Sequence, residues 1–202
     1  MAAGAMNERH LLGLLTLLLS LLLAGCSPGE GETPPLAGAS IGGGFTLTDQ
    51  DGERVSEEDF AGRYRLVYFG FTYCPDVCPV DLQMFGQALR KLQQSHPEVA
   101  AKVQPIFISV DPERDTPAVL QEYVAAFHPR LIGLTGTPQE IADVAKRYGV
   151  YYMKEEAEGA SGYLVNHSRI ALLFGPEGEP IAIVPHDKGA DAIAEELRRW
   201  VK

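Results

Sequence analysis

Cys74-Pro75-Asp76-Val77-Cys78-Pro79 is preceded by the apolar run Leu66-Val67-Tyr68-Phe69-Gly70-Phe71 and followed by a stretch with helical periodicity. The run is apolar at nearly every position, as a central strand covered on both faces must be. Pro79 suits the first turn of a helix, and Leu82, Phe85, Leu89 and Leu92 recur at three- and four-residue intervals along one face. The two cysteines therefore mark a strand-to-helix junction. Each proline disfavours a helical conformation for the residue before it. That predicts Cys74 in the loop and Cys78 as the helix cap, not two cysteines one turn apart on a helix face. A thiolate at a helix N-terminus gains from the dipole and from free backbone N–H groups, which lowers its pKa. Thiols so placed can do redox chemistry, bind a soft metal, or both. Redox motifs at such junctions use two intervening residues; the three found here widen the loop and let the sulfurs flank a metal. A Cys74–Cys78 disulfide stays open to this spacing, because a flexible loop still brings the Cβ atoms within about 4.5 Å.

Outward from the motif, strands alternate with helices. Phe45-Thr46-Leu47 and Arg54-Val55 flank the turn signal Asp51-Gly52 and predict a small hairpin. Val103 to Val110 reads as a second buried strand, and Thr116-Pro117 opens a helix with Val119, Leu120, Tyr123, Val124 and Phe127 on its apolar face. A short strand near Leu131–Leu134 leads into a helix over Pro138–Tyr148, with Gly149 as its stop. Ile170–Phe174, the turn Pro176-Glu177-Gly178 and Ile181–Val184 form a terminal hairpin, and an amphipathic helix spans about Asp191–Trp200. A βαβ core followed by a hairpin and a helix is a thioredoxin-like α/β arrangement. A central mixed sheet flanked by helices is expected, with an insertion and an N-terminal hairpin added. In that fold the end of the first core strand carries the chemistry.

The front of the chain reads as an address label. Arg9 precedes an apolar run from Leu11 to Leu23 that closes in Leu23-Ala24-Gly25-Cys26. A charged start, a short apolar stretch and a small-residue cleavage site describe an export signal over residues 1–25, read equally well from Met1 or Met6. Leu-Ala-Gly-Cys resembles a bacterial lipobox, which implies cleavage before Cys26 and a lipid on its sulfur. Residues 26–43 are rich in Gly, Pro and Ser and read as a flexible tether to a domain over 44–202. The expectation is an exported bacterial lipoprotein, anchored to a membrane and facing the periplasm or the exterior. Lipidation of Cys26 leaves Cys74 and Cys78 as a pair, in a compartment that oxidises dithiols unless a metal or reductant protects them. The formal charge of −10 over 202 residues argues against a nucleic-acid partner.

Two thiolates holding a soft metal want a third ligand. His10 leaves with the signal, His96 ends the first helix, His128 precedes a proline, and His186 follows Pro185 at the end of the last strand. His96 and His128 are therefore expected at the surface, with His186 a weak candidate. His167, in Val165-Asn166-His167-Ser168, stands just before a core strand at the position whose loop faces the cysteine pair in thioredoxin-like folds. Two thiolates and one imidazole suit Cu(I), and can also hold Cu(II) or Zn(II).

Three separated segments carry a closer likeness: residues 69–79 around the cysteines, Ser109-Val110-Asp111-Pro112-Glu113-Arg114-Asp115-Thr116-Pro117, and Tyr163-Leu164-Val165-Asn166-His167-Ser168. From about Gly44 to the C-terminus the chain closely resembles the Sco/SenC family of membrane-anchored copper proteins. The resemblance implies copper as Cu(I) or Cu(II), held by Cys74, Cys78 and His167. It further implies a role in maturing the CuA centre of cytochrome c oxidase. Its CuA-bearing subunit is then a partner, alongside other periplasmic copper chaperones or thioredoxin-like reductants. The family often has an aspartate before the histidine, where this chain has Asn166. The activity is expected to be metallochaperone rather than enzyme. The alternative is a thiol–disulfide oxidoreductase, redox-active at Cys74 and Cys78, that reduces partner cysteines before metallation. Asp111 and Asp115 form a carboxylate pair, but an Asp-Pro turn and, with Thr116, a helix cap explain them without a hard cation. Phe71 and Tyr73 are expected to shield the site.

Overall fold

The computed structural model describes residues 32–156 and 162–202. The expected export signal, His10 and Cys26 lie outside the described residues, and among those described no helix is long and apolar enough to cross a membrane. Pro34–Lys202 forms one compact unit.

Its centre is a seven-stranded mixed sheet with strands in the spatial order Arg54–Ser56, Thr46–Asp49, Ile132–Thr135, Val103–Ser109, Tyr64–Gly70, Ala171–Phe174 and Pro180–Ile183. The N-terminal hairpin is β1 (Thr46–Asp49) and β2 (Arg54–Ser56), and Gly52 supplies the positive φ of 85° its turn requires. β3 (Tyr64–Gly70) and β4 (Val103–Ser109) are buried at every position and run parallel, with β5 (Ile132–Thr135) parallel beyond them. β8 (Ala171–Phe174) pairs antiparallel with β3, and β9 (Pro180–Ile183) with β8. The ladder β4-β3-β8-β9 closed by a last helix is the expected thioredoxin-like core. The N-terminal hairpin extends the sheet by pairing β1 antiparallel with β5.

Five α-helices among the described residues connect the strands: α1 (Val77–Ser95), α2 (Pro97–Lys102), α3 (Pro117–Ala125), α4 (Pro138–Arg147) and α5 (Ala190–Trp200). Leu82, Phe85, Leu89 and Leu92 of α1 are all buried, as their spacing requires. Thr137 opens α4 with a capping box to Glu140, and Gly149, at φ 67°, closes it. The two sheet faces bury different partners. Tyr68 meets Phe85 of α1 and His186 on one face, while Phe69 meets Tyr148, just past α4, on the other.

Three findings differ from the sequence reading. The first is a separate antiparallel hairpin, β6 (Tyr152–Glu156) with β7 (Tyr163–His167), which occupies the expected insertion; His167 is its last residue and pairs with Tyr152. The second concerns the tether expected over 26–43. From Leu36 onward it lies on the domain: Leu36 N–H donates to Ile181 O at 3.0 Å and Gly42 N–H to Arg147 O at 2.9 Å. Leu36 and Ile41 supply the apolar side chains that dock it. Third, His128 is buried rather than at the surface, because the turn after α3 folds inward and its Nδ1 accepts from Arg130 N–H at 3.2 Å.

Candidate metal centre

The sheet topology brings the ends of three segments together. β3 runs towards the cysteine loop, and β8 runs the opposite way with Ala171 opposite Tyr68. Residues just upstream of Ala171 therefore arrive at the edge where the Cys74 loop departs. Cys74 Sγ, Cys78 Sγ and a ring nitrogen of His167 lie within 4.8 Å of one another, and Cys78 Sγ stands 3.4 Å from His167 Nε2. Both cysteines are free thiols in this structure.

The cysteine loop differs in detail from the expected cap. Asp76 is the residue flanking α1, so Cys78 lies inside the first turn and Pro79 is the third helical residue. A proline is tolerated there because the first N–H groups of a helix have no intrahelical acceptor. Asp76 makes no side-chain cap; instead the Cys78 N–H points at Cys74 Sγ at 3.5 Å. The sulfur that meets the helix N-terminus is thus Cys74, while Cys78 is wholly buried. The protonation follows. The hydrogen bond from the Cys78 thiol lowers the Cys74 pKa most, burial opposes it, and His167 with the amides of Asp76 and Cys78 lowers it further. Cys78 moves the other way, raised by its bond to Cys74 and by burial. One thiolate and one thiol share the site, with the charge on the more accessible sulfur.

His167 is oriented by its neighbours. Its Nδ1 lies 3.1 Å from Ser168 O. A carbonyl only accepts, so Nδ1 carries a proton and Nε2 is the ring nitrogen that faces the sulfurs. Its ring stands nearly perpendicular to those of Phe71 and Tyr68, with centroids at 6.0 and 6.4 Å. Gly70 leaves no room to spare: a Cβ there meets Phe107 Cε2 at 2.8 Å and Cys78 Sγ at 2.9 Å.

Two polar clusters frame the site. Asp115, fully buried, accepts from Thr72 N–H (3.0 Å), Thr72 Oγ1 (2.6 Å) and Ser109 Oγ (2.5 Å), anchoring the residues that lead into Cys74. It does not cap α3; Thr116 does so alone, accepting from Val119 N–H. Asp111, also buried, accepts from Tyr163 Oη at 2.6 Å and is bonded by Arg114 Nε. Arg114 Nη1 donates to Tyr163 O, and its guanidinium lies over the rings of Tyr163 (3.8 Å) and Tyr73 (4.8 Å). These carboxylates are structural clamps, one on the cysteine loop and one on the hairpin that carries His167. Phe71 is buried and shields the histidine, whereas Tyr73 is 57% exposed beside the cysteines.

The remaining histidines among the described residues stay out of the cluster. His186 packs behind Tyr68 with Nε2 3.6 Å from Asp81 Oδ2, and His96 lies at the far end of α1. Asp81 and Arg169 escaped the sequence reading. A signal was available, since residue 81 is a carboxylate on the apolar stripe shared by Cys78, Leu82 and Phe85.

A soft metal about 2.3 Å from sulfur and about 2.0 Å from nitrogen spans an S–N edge of about 3.5–3.7 Å. The observed 3.4 Å needs only a small adjustment. Two sulfurs and one imidazole nitrogen, with no carboxylate among them, favour a soft cation over Mg(II) or Ca(II).

The SCO1/SenC family profile matches residues 33–202, which takes in the whole compact unit and with it Cys74, Cys78 and His167. The chain belongs to the SCO1/SenC family. The mitochondrial SCO1 homolog 1 of Arabidopsis thaliana is 45% identical over 175 residues, covering 85% of this chain and 51% of that protein. The chain thus spans about half the length of that curated relative. Among solved structures, ScoI of Bradyrhizobium japonicum with copper bound is 39% identical with a TM-score of 0.72, covering 79% of this chain and 99% of that one. BsSco is 25% identical with a TM-score of 0.61, covering 85% of this chain and all of that one. It is described as a member of the Sco family of cytochrome c oxidase assembly proteins, and a disulfide switch is identified in it. In the SCO1/SenC domain described here, the two thiols and the histidine are the features available for either chemistry.

Proposed function

We propose that this protein binds copper through Cys74, Cys78 and His167 and serves the maturation of the CuA centre of cytochrome c oxidase, as a metallochaperone for its CuA-bearing subunit. The observation that carries the reading is the convergence of two sulfurs and an imidazole nitrogen within 4.8 Å. A redox pair gains nothing from a third ligand, whereas a soft cation is held more tightly by one. The copper-bound relative from Bradyrhizobium japonicum makes copper, rather than zinc, the metal to test. Copper is cargo here, so the site has to release it as well as hold it. Cys74, the thiolate at the accessible end, is the ligand from which an incoming acceptor ligand takes over. The test is a competition titration of the reduced protein with Cu(I). One tight site is expected, and His167→Ala should weaken it by about 10-fold or more; unchanged affinity sinks the three-ligand site.

The second reading, a thiol–disulfide oxidoreductase, is favoured by the unequal thiols. The Cys74 thiolate attacks a partner disulfide and releases one partner thiolate, which takes the Cys78 proton. The Cys78 thiolate then attacks the mixed disulfide, leaving a Cys74–Cys78 disulfide and a fully reduced partner. Other periplasmic copper chaperones or thioredoxin-like reductants are the partners either cycle calls for. Oxidase assembly in cells separates the two readings. If His167→Ala supports assembly while Cys74→Ser and Cys78→Ser do not, the redox role prevails.

The proposed cellular setting is a membrane surface reached through a lipid on Cys26, facing the periplasm or the cell exterior. It rests on the apolar run Leu11–Leu23 and the closing Leu23-Ala24-Gly25-Cys26. Cys26→Ser should abolish lipid labelling and release the protein from the membrane fraction.

A further inference from the structure

Asp81 sits three residues after Cys78 on α1 and is fully buried, while Arg169 sits two residues after His167. They meet as a two-pronged ion pair: Arg169 Nε donates to Asp81 Oδ2 at 2.8 Å and Nη2 to Oδ1 at 2.6 Å. Tyr68 Oη donates to the same carboxylate at 2.7 Å, and His186 Nε2 lies 3.6 Å from it. We propose that the Asp81–Arg169 pair is a positioning latch that holds the His167 turn against the first turns of α1 and so completes the ligand set. The proposal rests on the three-ligand copper reading.

The pair bridges the same two segments as the ligands do, across nearly the same stretch of chain. The other polar contacts of the turn are local to its own hairpin. His167 Nδ1 bonds the adjacent Ser168 O, and Ser168 N–H and Oγ bond Tyr151 O and Tyr151 N–H. Those bonds orient the imidazole within the turn, but none ties the turn to α1. Among the described residues, apart from the Cys78–His167 contact itself, the Asp81–Arg169 pair is the polar link from this turn to the cysteine helix. Its form matches the task. A planar guanidinium fork fixes both distance and angle, which a single lysine contact does not. The pair joins a buried carboxylate to a guanidinium that stays 40% exposed, so it adds little net stability, and geometric definition is the better account of its presence. Asp81 is anchored from behind by Tyr68 of β3, so the latch refers the histidine to the rigid sheet as well as to the helix.

The test is a double-mutant cycle on the full reduced chain, read by Cu(I) competition titration. Arg169→Leu keeps the apolar stem and removes the fork; Arg169→Lys keeps the charge alone. Arg169→Leu is expected to weaken Cu(I) binding about 10-fold or more, the usual cost of losing a partner that orients a metal ligand. In a His167→Ala background the same change is expected to alter affinity by no more than about 2-fold, so that the two changes are strongly non-additive. Arg169→Lys should recover only part of the loss. The Cu(II) form of Arg169→Leu should show weakened or heterogeneous nitrogen coupling by electron paramagnetic resonance, which general destabilisation does not produce. Asp81→Asn, which retains a side-chain acceptor for Tyr68, repeats the test if Arg169→Leu does not fold. Equal losses in both backgrounds, or no loss in the wild-type background, overturn the latch. If His167→Ala alone leaves copper affinity intact, the three-ligand reading falls and takes the latch with it. If His167→Ala weakens binding and Arg169→Leu does not, only the latch falls.

Discussion

Gly70→Ala tests how tightly the cysteine pair is seated against the sheet. The added methyl meets Phe107 Cε2 at 2.8 Å, Cys78 Sγ at 2.9 Å and Tyr68 Cε1 at 3.3 Å. Comfortable carbon contacts begin at about 3.5 Å, so the first overlap is about 0.7 Å and cannot be absorbed without movement. Phe107 and Cys78 are both fully buried, and Phe107 is further held by Tyr123 with ring centroids 5.6 Å apart. The sulfur, on the first turn of a helix rather than inside the sheet, is the neighbour that gives. Overpacking of this size costs about 1–3 kcal/mol. With a urea dependence of about 1–3 kcal/mol per molar, the unfolding midpoint should fall by roughly 1 M. The single tryptophan, Trp200, is buried in α5 and reports that transition by fluorescence. A displaced Cys78 also moves away from His167, so Cu(I) affinity should drop by about 10-fold in the same variant. A midpoint and an affinity both equal to the wild-type values would falsify the seating of Cys78 against β3. A lower midpoint with unchanged affinity would place the displacement at Phe107 instead.

Two further changes probe the surroundings. Asp115→Ala strands the Thr72 N–H, Thr72 Oγ1 and Ser109 Oγ donors in a buried site, which should cost about 2–4 kcal/mol in urea unfolding and speed alkylation of Cys74; a loss below about 1 kcal/mol would contradict the clamp. Burial, with Arg130 and Arg90 adding to it, depresses the His128 pKa from 6.5 to about 4, so folding favours the neutral ring. That stability is fully present above the unfolded pKa and is lost as pH falls from about 6.5 towards 4, amounting to about 1–3 kcal/mol. Midpoints measured between pH 7 and 4 should therefore decline less steeply in His128→Gln than in the wild type, and parallel declines would refute the assignment.

What the sequence could reveal followed the range of the forces involved. β3 and α1 were legible because their burial is written locally, in an unbroken apolar run and a three-and-four spacing. The β6–β7 hairpin was not, because Lys154, Glu155 and Glu156 carry no strand signal. Its inner face is instead held by partners far away in the chain: Arg114 on Tyr163 and Glu113 on Lys154. Prolines told correctly that Cys74 lies in the loop but misplaced the cap, since the first turn of a helix spares its N–H groups and so accepts Pro79. His128 looked like a surface residue because nothing local announces that a turn folds inward. Asp81 and Asp115 were the hardest, since a buried carboxylate is intelligible only once its donors from other segments are in view. The clustering of Cys74, Cys78 and His167 was legible through chemistry rather than local structure: two thiols at a strand end leave a position that one histidine in the right loop can fill.

That position exists only if the sheet is correctly assembled. Cys78 and His167 are 89 positions apart, and they meet because β8 pairs antiparallel with β3 in a register that sets Ala171 opposite Tyr68. A slip of two residues moves the turn by about 6.6 Å along the strand, beyond the reach of any metal–ligand bond. A slip of one residue puts every side chain of β8 on the wrong face. The three-residue cluster is therefore a readout of tertiary structure, whereas the cysteine loop alone is assembled locally at the start of α1. A cation that needs all three ligands binds only the native pairing and must stabilise it in proportion to its affinity. A dithiol partner needs only the loop. On the proposed reading, the same domain meets a thiol partner before its histidine turn is seated and holds copper tightly only after it is. The latch between Asp81 and Arg169 stands where those two conditions are joined.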